Sequence, residues 1–515
     1  MAKRIQLTLD FEVDLEQEVT KRFPEYNDFR ILSQSLDARG ANRGKRPRYQ
    51  YSLELIKSGE KFSIIKEEFK NLGALSKKPI IIGAGPGGLF CALRLADYGV
   101  PSIIVERGER AHKRMKDIAK AWRYGEFNPE SNVCYGEGGA GLFSDGKLIT
   151  RIKSPYVNYV MNRLVDFGAP EDTAYLSNPH LGSNKIRVLI GKVSEYLQEK
   201  GCEIHYNTKV EGLDFVDKKI VGVSLNNGQK LVSDNVVLAT GHSASDMYEH
   251  LEELNVAMKP KSFAVGVRIE HPRSHMDYIQ YGEYIKYDLG AARYRLSWEN
   301  PETKKGTYSF CMCPGGYVLS SGTENNGLVV NGMSNYARNS PWSNSALVVS
   351  VEAGKDFDGE LLAGMKFQRN IEKAAYNLSK IKANKKEVPF IELDRFLEGK
   401  IGTGDNPKTS CPSGIFREDL QNILPSFITD HLKNAFSKFE KSLKGFSEKA
   451  ILIAPETRTS APVTIERDRD TLESLSHSGL YPCGEGAGHA GGITSAAVDG
   501  VKIAMSILRK EKNLD

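Results

Sequence analysis

A chain of 515 residues exceeds one ordinary domain and can bury large cores, so two or three domains are expected. Its 70 Lys and Arg against 65 Asp and Glu leave a net charge of +5, too mild to call for nucleic acid or an acidic membrane as a general partner. There is no apolar run of roughly 18 residues, the first residues turn acidic before a signal-peptide core develops, and the seven scattered cysteines lack zinc-ligand spacing, so the expectation is a cytoplasmic protein with reduced thiols, no membrane span and no metal.

Residues 1–75 predict a small α+β domain: Ile5, Leu7, Leu9 and Phe11 alternate, 14–24 is helical, 28–36 is extended, and Tyr49, Tyr51, Leu53 and Leu55 alternate again. The loop from Asp37 to Arg48 carries five cations. It reads either as a contact for a polyanion or protein partner or as a solvated hairpin loop, and the second reading is preferred because the rest of the chain is not basic.

Residues 79–106 follow as an isoleucine strand, a Gly-Ala-Gly-Pro-Gly-Gly turn, an apolar-periodic helix to Gly99 and a second strand ending at Glu106. This is the pattern of a dinucleotide-binding βαβ unit: Gly83 permits the tight turn, Gly85 lets backbone approach a pyrophosphate, and Gly88 lets helix and strand pack closely. Glu106 is placed to accept hydrogen bonds from a ribose diol. Within 76–255, the glycine-rich loop Glu137–Lys147 suits close approach to a flat ring. Helices are predicted over 156–167 and 186–200, then strands over 203–206, 209–216, 220–225 and 230–240 as a meander, closing at Thr240-Gly241.

Residues 256–450 predict a mixed substrate domain, with strands near 263–270, 307–312 and 327–332 and helices near 342–353, 361–381 and 428–442. Arg268 is a minor candidate for binding an anion. Cys311 and Cys313 share one face of a strand, which permits either a redox pair or two buried small apolar residues; the second is expected. Gly402-Thr-Gly-Asp-Asn-Pro follows no apolar strand and leads into no helix, so it is a loop, and there is no second dinucleotide domain for NAD(P)H.

Residues 451–515 return to the nucleotide-binding domain. A second glycine loop over 479–504 extends the site beyond what a nicotinamide dinucleotide needs and points to a flavin, with Glu485 near the ribityl chain and a helix opening at Ile493. Arg458 is either a cation for the flavin edge or a substrate carboxylate, or a partner of Glu456 or another acid. His489 is either an acid/base or a backbone cap within the loop.

The segments Ser35–Arg39, Gly83–Gly88, Glu137–Leu148, Ser309–Gly316, Asn331–Ser334, Glu456–Pro462 and Gly484–Gly500 together resemble the uncharacterised bacterial FAD-dependent dehydrogenases sometimes labelled NAD-utilising dehydrogenases. The resemblance implies an α/β fold: a discontinuous FAD-binding Rossmann-like domain of the glutathione-reductase type (76–255 and 451–515), with the substrate domain inserted and the small N-terminal domain ahead of it. Expected FAD contacts are Gly83, Gly85, Gly87, Gly88, Glu106, Arg107, Gly141, Val210, Thr240, Gly241, Gly484, Glu485, Gly491, Gly492 and Ile493. Arg458 and His489 are the catalytic candidates. Many related flavoproteins carry Gly-Asp where this chain has Gly484-Glu485, which shifts the ribityl contact by a methylene. The expected activity is hydride transfer between the flavin and a small organic substrate, with NAD(P)H at most a transient partner. The alternative is a flavoprotein serving a nucleic acid or protein through the N-terminal domain.

Overall fold

The protein is described by a computed structural model over residues 2–62, 67–177 and 179–514. Strands Lys3–Asp10, Asp28–Asp37 and Arg48–Ile56 form an antiparallel sheet with the third strand in the middle. Their alternation buries Leu7, Leu9, Leu53 and Leu55 beneath helix Leu15–Arg22, whose first turn is capped by the Asp14 carboxylate. The basic loop docks on the rest of the chain: Ala38 and Ala41 pack with Tyr281 and Ala292, and Asn42 donates to the Ile279 carbonyl at 2.8 Å. Arg39, Arg46 and Arg48 pair with Asp37, Glu12 and Asp10, so three of the five cations are neutralised within this region.

The nucleotide fold is a five-stranded parallel sheet in the order Leu480–Pro482, Val236–Leu238, Ile80–Ile82, Ile103–Val105, Glu203–His205. Its central strands are apolar on both faces, as a parallel sheet covered on both sides requires. Val236–Leu238, read as the strand before the closing turn at Thr240-Gly241, lies in this sheet, and so does Glu203–His205, expected in the meander. The meander consists of Val210–Val216, Lys219–Leu225 and Lys230–Val232. The Ser233–Asn235 turn, in which the Ser233 hydroxyl bonds to Asn235, breaks the run and sends Val236 into the core.

A seven-stranded mixed sheet runs Ser297–Glu299, Gly306–Cys313, Trp342–Val351, Phe263–Pro272, Ile451–Glu456, Val388–Glu392, Ile415–Arg417. Trp342–Val351, expected as a helix, is a central strand of this sheet. It is buried on both faces, so it shows no alternation, and its Val-rich sequence favours the pleated surface. Ile451–Glu456 also belongs here, so the expected boundary at residue 450 cuts through this sheet. Helix Ser426–Ser442 covers one face with Leu432, Phe436 and Phe439.

The last helix, Ile493–Lys512, lies against helix Pro86–Asp97 at very short range. A Cβ on Gly500 would stand 2.0 Å from the Gly87 carbonyl oxygen, so only glycine allows this approach. Among the described residues, no helix is long and apolar enough to cross a membrane.

Candidate functional site

Strand Ile80–Ile82 delivers the chain into a turn that only glycine can make. Gly83 has φ +106°, and a Cβ there would meet the Ala239 carbonyl at 2.4 Å. Gly88 is fixed by contact, since its Cβ would lie 2.0 Å from the Gly83 carbonyl oxygen. Gly85 is different: the nearest atom to an added Cβ is the Gly139 Cα at 3.9 Å, and the space beyond is cavity. Helix Pro86–Asp97 starts there with no side chain capping its first turn, so its N–H groups and positive end are available to an anion.

Glu106 ends the second strand almost fully buried. Its carboxylate accepts from the amides of Ala84 (2.8 Å), Gly108 (2.9 Å) and Gly136 (2.9 Å). A carboxylate has about four acceptor positions, so one remains for a hydroxyl from the cavity.

Sequence reasoning missed the residue that shapes the next wall. Arg114, wholly buried, donates to the carbonyls of Asn132, Val133, Gly136, Glu137 and Gly139, clamping the loop that carries Gly139 and Gly141. Burial pulls its pKa down to about 10. In sequence it stands in a helix with several Lys and Arg and looks like any solvated cation. The clamped loop presses Gly139 against Gly85 and Gly141 against Ile493, where added Cβ atoms would lie 3.2 Å from Gly85 Cα and from Ile493 Cγ1.

The C-terminal loop closes the site. Asp499, also missed, accepts from the Gly484 amide at 2.8 Å while held by Arg467 through two hydrogen bonds of 2.7 and 2.9 Å. Glu485 lies 3.4 Å from His242, and a Cβ added at Gly491 would meet nothing within 4 Å.

These segments enclose one cavity of about 900 Å³. Gly83, Gly85, Gly87, Glu106, Arg107, Gly141, Val210, Thr240, Gly241, Gly484, Glu485, Gly491, Gly492 and Ile493 all line it, and Gly88 packs behind it. Arg107 stacks over the Tyr135 ring and pairs with Glu130 and Asp246. Tyr294–Ser297 and Tyr308–Met312, from the mixed sheet and its approach, line it as well.

Arg458 is also in the cavity wall, but its acid is Glu372, at 2.6 and 2.8 Å, with Thr323 accepting a third bond at 2.6 Å. Glu456 instead binds Arg268, a fully buried arginine on strand Phe263–Pro272. Burial opposes the charge of Arg458, but the Glu372 carboxylate outweighs it and raises the pKa. His489 does not face this cavity. Its Nε2 bonds to the Ile465 carbonyl at 2.9 Å, the ring lines a separate polar groove, and burial lowers its pKa, so it caps backbone and has no line to the reacting centre. Deeper in, Asp145 is almost fully buried; burial raises its pKa, but Lys147 and Arg338 outweigh this and hold it low.

The open helix start at Gly85, the buried Glu106 carboxylate with an acceptor position to spare and the cavity that joins them to the C-terminal loop fit FAD. Comparison with known proteins agrees. Residues 77–250 match the pyridine nucleotide-disulphide oxidoreductase family, and residues 262–459 match the family described as FAD-dependent protein, C-terminal domain-like. An uncharacterised protein of Clostridium beijerinckii is 39% identical over 98% of both chains. Protein FixC of Escherichia coli K12 is 29% identical over 38% of this chain and 44% of its own. Among solved structures, glycine oxidase from Bacillus cereus superposes over 85% of this chain and 98% of its own at 12% identity (TM-score 0.32). L-Amino acid deaminase from Proteus myxofaciens covers 88% and 94% at 13% identity (TM-score 0.34). With residues 77–250 matched to the pyridine nucleotide-disulphide oxidoreductases, residues 262–459 to the FAD-dependent C-terminal domain and the Clostridium beijerinckii protein alike from end to end, the chain belongs to a family of FAD-dependent oxidoreductases, and its cofactor is FAD.

Proposed function

We propose that the protein is a dehydrogenase or reductase that exchanges a hydride between FAD and a small organic substrate. The observation that carries this reading is the cavity itself, which joins the dinucleotide cradle to a wall built from the mixed sheet and so leaves room beside the cofactor for a second molecule. FAD supplies the redox chemistry, accepting or giving hydride at its ring N5.

The chain's own groups position and balance the charges. The open helix start at Gly85 and Pro86 neutralises the diphosphate, and Glu106 takes a ribose hydroxyl on its remaining acceptor position. The helix that begins at Ile493 turns its positive end on the cavity, where it favours negative charge by about 0.3–1 kcal/mol, more if partly buried. Arg458 spends three N–H groups on Glu372 and Thr323 and keeps two of its five for the cavity. Those two suit a substrate carboxylate, while Glu372 prevents a lone buried cation.

Among the described residues only one dinucleotide cradle is built, and residues 402–407 run as a loop without regular structure. Under anaerobic conditions the bound flavin is therefore expected to bleach slowly or not at all with NADH or NADPH, and rapidly with a small organic substrate found by screening carboxylate-bearing compounds. Rapid, saturable bleaching by free NADPH would replace this reading with an NADPH-dependent reductase.

A further inference from the structure

We propose that Cys311 and Cys313 form a second two-electron centre, closing to a disulfide and opening to a dithiol in exchange with the FAD of the cavity. The proposal rests on FAD occupying that cavity. The pair lies in the mixed sheet, outside residues 77–250, and the hydride chemistry above makes no use of it.

The strand Gly306–Cys313 follows a regular register with Trp342–Val351 as far as Phe310, then breaks at a bulge before Cys313. Inside the bulge Cys311 takes φ +45°, a left-handed conformation that costs a non-glycine residue on the order of 1–3 kcal/mol and persists only where its surroundings impose it. Cations impose it here. Arg268 reaches the Cys311 carbonyl at 3.4 Å, and the Lys147 ammonium bonds to the Met312 carbonyl.

The bulge has two results for the thiols. It puts Cys311 in the wall of the cavity while Cys313 stays fully buried behind it. It also turns the Cys313 thiol back toward Cys311. A regular strand separates residues two apart by about 6.6 Å, at the outer limit of what a disulfide spans. Here the Cys313 thiol turns back to donate to the Cys311 carbonyl at 3.3 Å.

Electrostatics separates Cys311 from the other buried cysteines. The neighbouring Cys313 thiol, with Lys147 and Arg268 nearby, lowers the pKa of Cys311 despite burial and favours its thiolate, while the same pairing and burial raise that of Cys313. Burial pushes Cys411 up to about 12 and Cys91, Cys202 and Cys483 upward, which leaves those four as unreactive thiols.

The exchange balances. Forming the bond between the two sulfurs releases two electrons and two protons, and oxidised FAD takes up both pairs. In reverse, reduced FAD returns them and the sulfurs separate.

The test is a reductive titration of the FAD-replete protein without oxygen, together with alkylation of acid-quenched, unfolded samples by iodoacetamide. Wild type is expected to take up about four electrons per FAD, and Cys311→Ser/Cys313→Ser about two. The peptide carrying residues 311–313 is expected to resist alkylation from oxidised protein and to be alkylated twice after reduction. If the double variant fails to hold FAD, the alkylation pattern of wild type decides alone. An uptake of about two electrons in wild type, or full alkylation of both thiols in oxidised protein, overturns the proposal. A preparation that never binds FAD refutes the cofactor assignment instead.

Discussion

Substitution at two glycines three residues apart should separate cofactor binding from folding. At Gly85 the backbone is extended (φ −79°, ψ −178°), which suits a β-branched residue, and an added Cβ finds only the Gly139 Cα, at an ordinary 3.9 Å. Gly85→Val therefore leaves the protein's own packing intact and puts two methyl groups where the diphosphate must lie. At Gly88 a Cβ would stand 2.0 Å from the Gly83 carbonyl oxygen and 3.1 Å from Ile81 Cγ2. Backbone cannot yield there as a flexible side chain can, so Gly88→Ala should cost at least the usual 1–3 kcal/mol or so of an overpacked core. The assay is FAD per protein after gel filtration, from flavin absorbance, beside urea unfolding of the FAD-free forms. Gly85→Val should lose FAD affinity by roughly 100-fold or more, about 2.7 kcal/mol, with an unfolding midpoint close to that of wild type without FAD. Gly88→Ala should unfold at clearly lower urea. Full FAD in Gly85→Val, or an undisturbed midpoint in Gly88→Ala, would refute the assignment of these roles.

Two further outcomes follow from buried charges. Glu372→Gln leaves the Arg458 guanidinium without its carboxylate. It should cost about 3–5 kcal/mol in urea unfolding and raise the flavin midpoint potential; a loss of stability with an unmoved potential would place Arg458 away from the ring. His271 is fully buried and held neutral, its pKa lowered by burial from 6.5 to about 4. The unfolded chain takes up that proton first, so the contribution, on the order of 3 kcal/mol, is complete above pH 6.5 and is lost as pH falls towards about 4. His180, lowered to about 4 by burial and then Arg338, acts in the same direction. Urea midpoints should therefore fall between pH 7 and pH 5, and a flat profile there would count against neutral histidines in the fold.

What could be read from sequence was the part where the backbone itself binds. Gly83, Gly85, Gly88 and the strand-ending Glu106 have meaning at fixed spacing within one βαβ unit, and their positions were legible without knowing any long-range contact. Arg114, Glu372 and Asp499 were not, because each acts on a partner 15 to 86 residues away, and a buried arginine in a basic helix has the same local pattern as an exposed one. Trp342–Val351 misled for a related reason: burial on both faces erases the alternation that marks a strand. His489 misled because proximity in the chain to Glu485 says nothing of which side of the loop the ring takes.

The placement of strand Leu480–Pro482 beside Val236–Leu238 has a consequence for synthesis. The glycine turn at Gly83 leaves the ribosome roughly 400 residues before the segment that completes its sheet, an interval on the order of tens of seconds at ordinary elongation rates. Until then helix Pro86–Asp97 has no cover from the last helix, and Leu89, Phe90 and Leu93 are without part of the core that buries them. The nascent chain must therefore carry a half-built, apolar cradle through most of translation. Because Gly484, Glu485 and Ile493 line the cavity, FAD capture is expected only after the end of the chain has emerged, with chaperones that hold exposed apolar helices covering the interval.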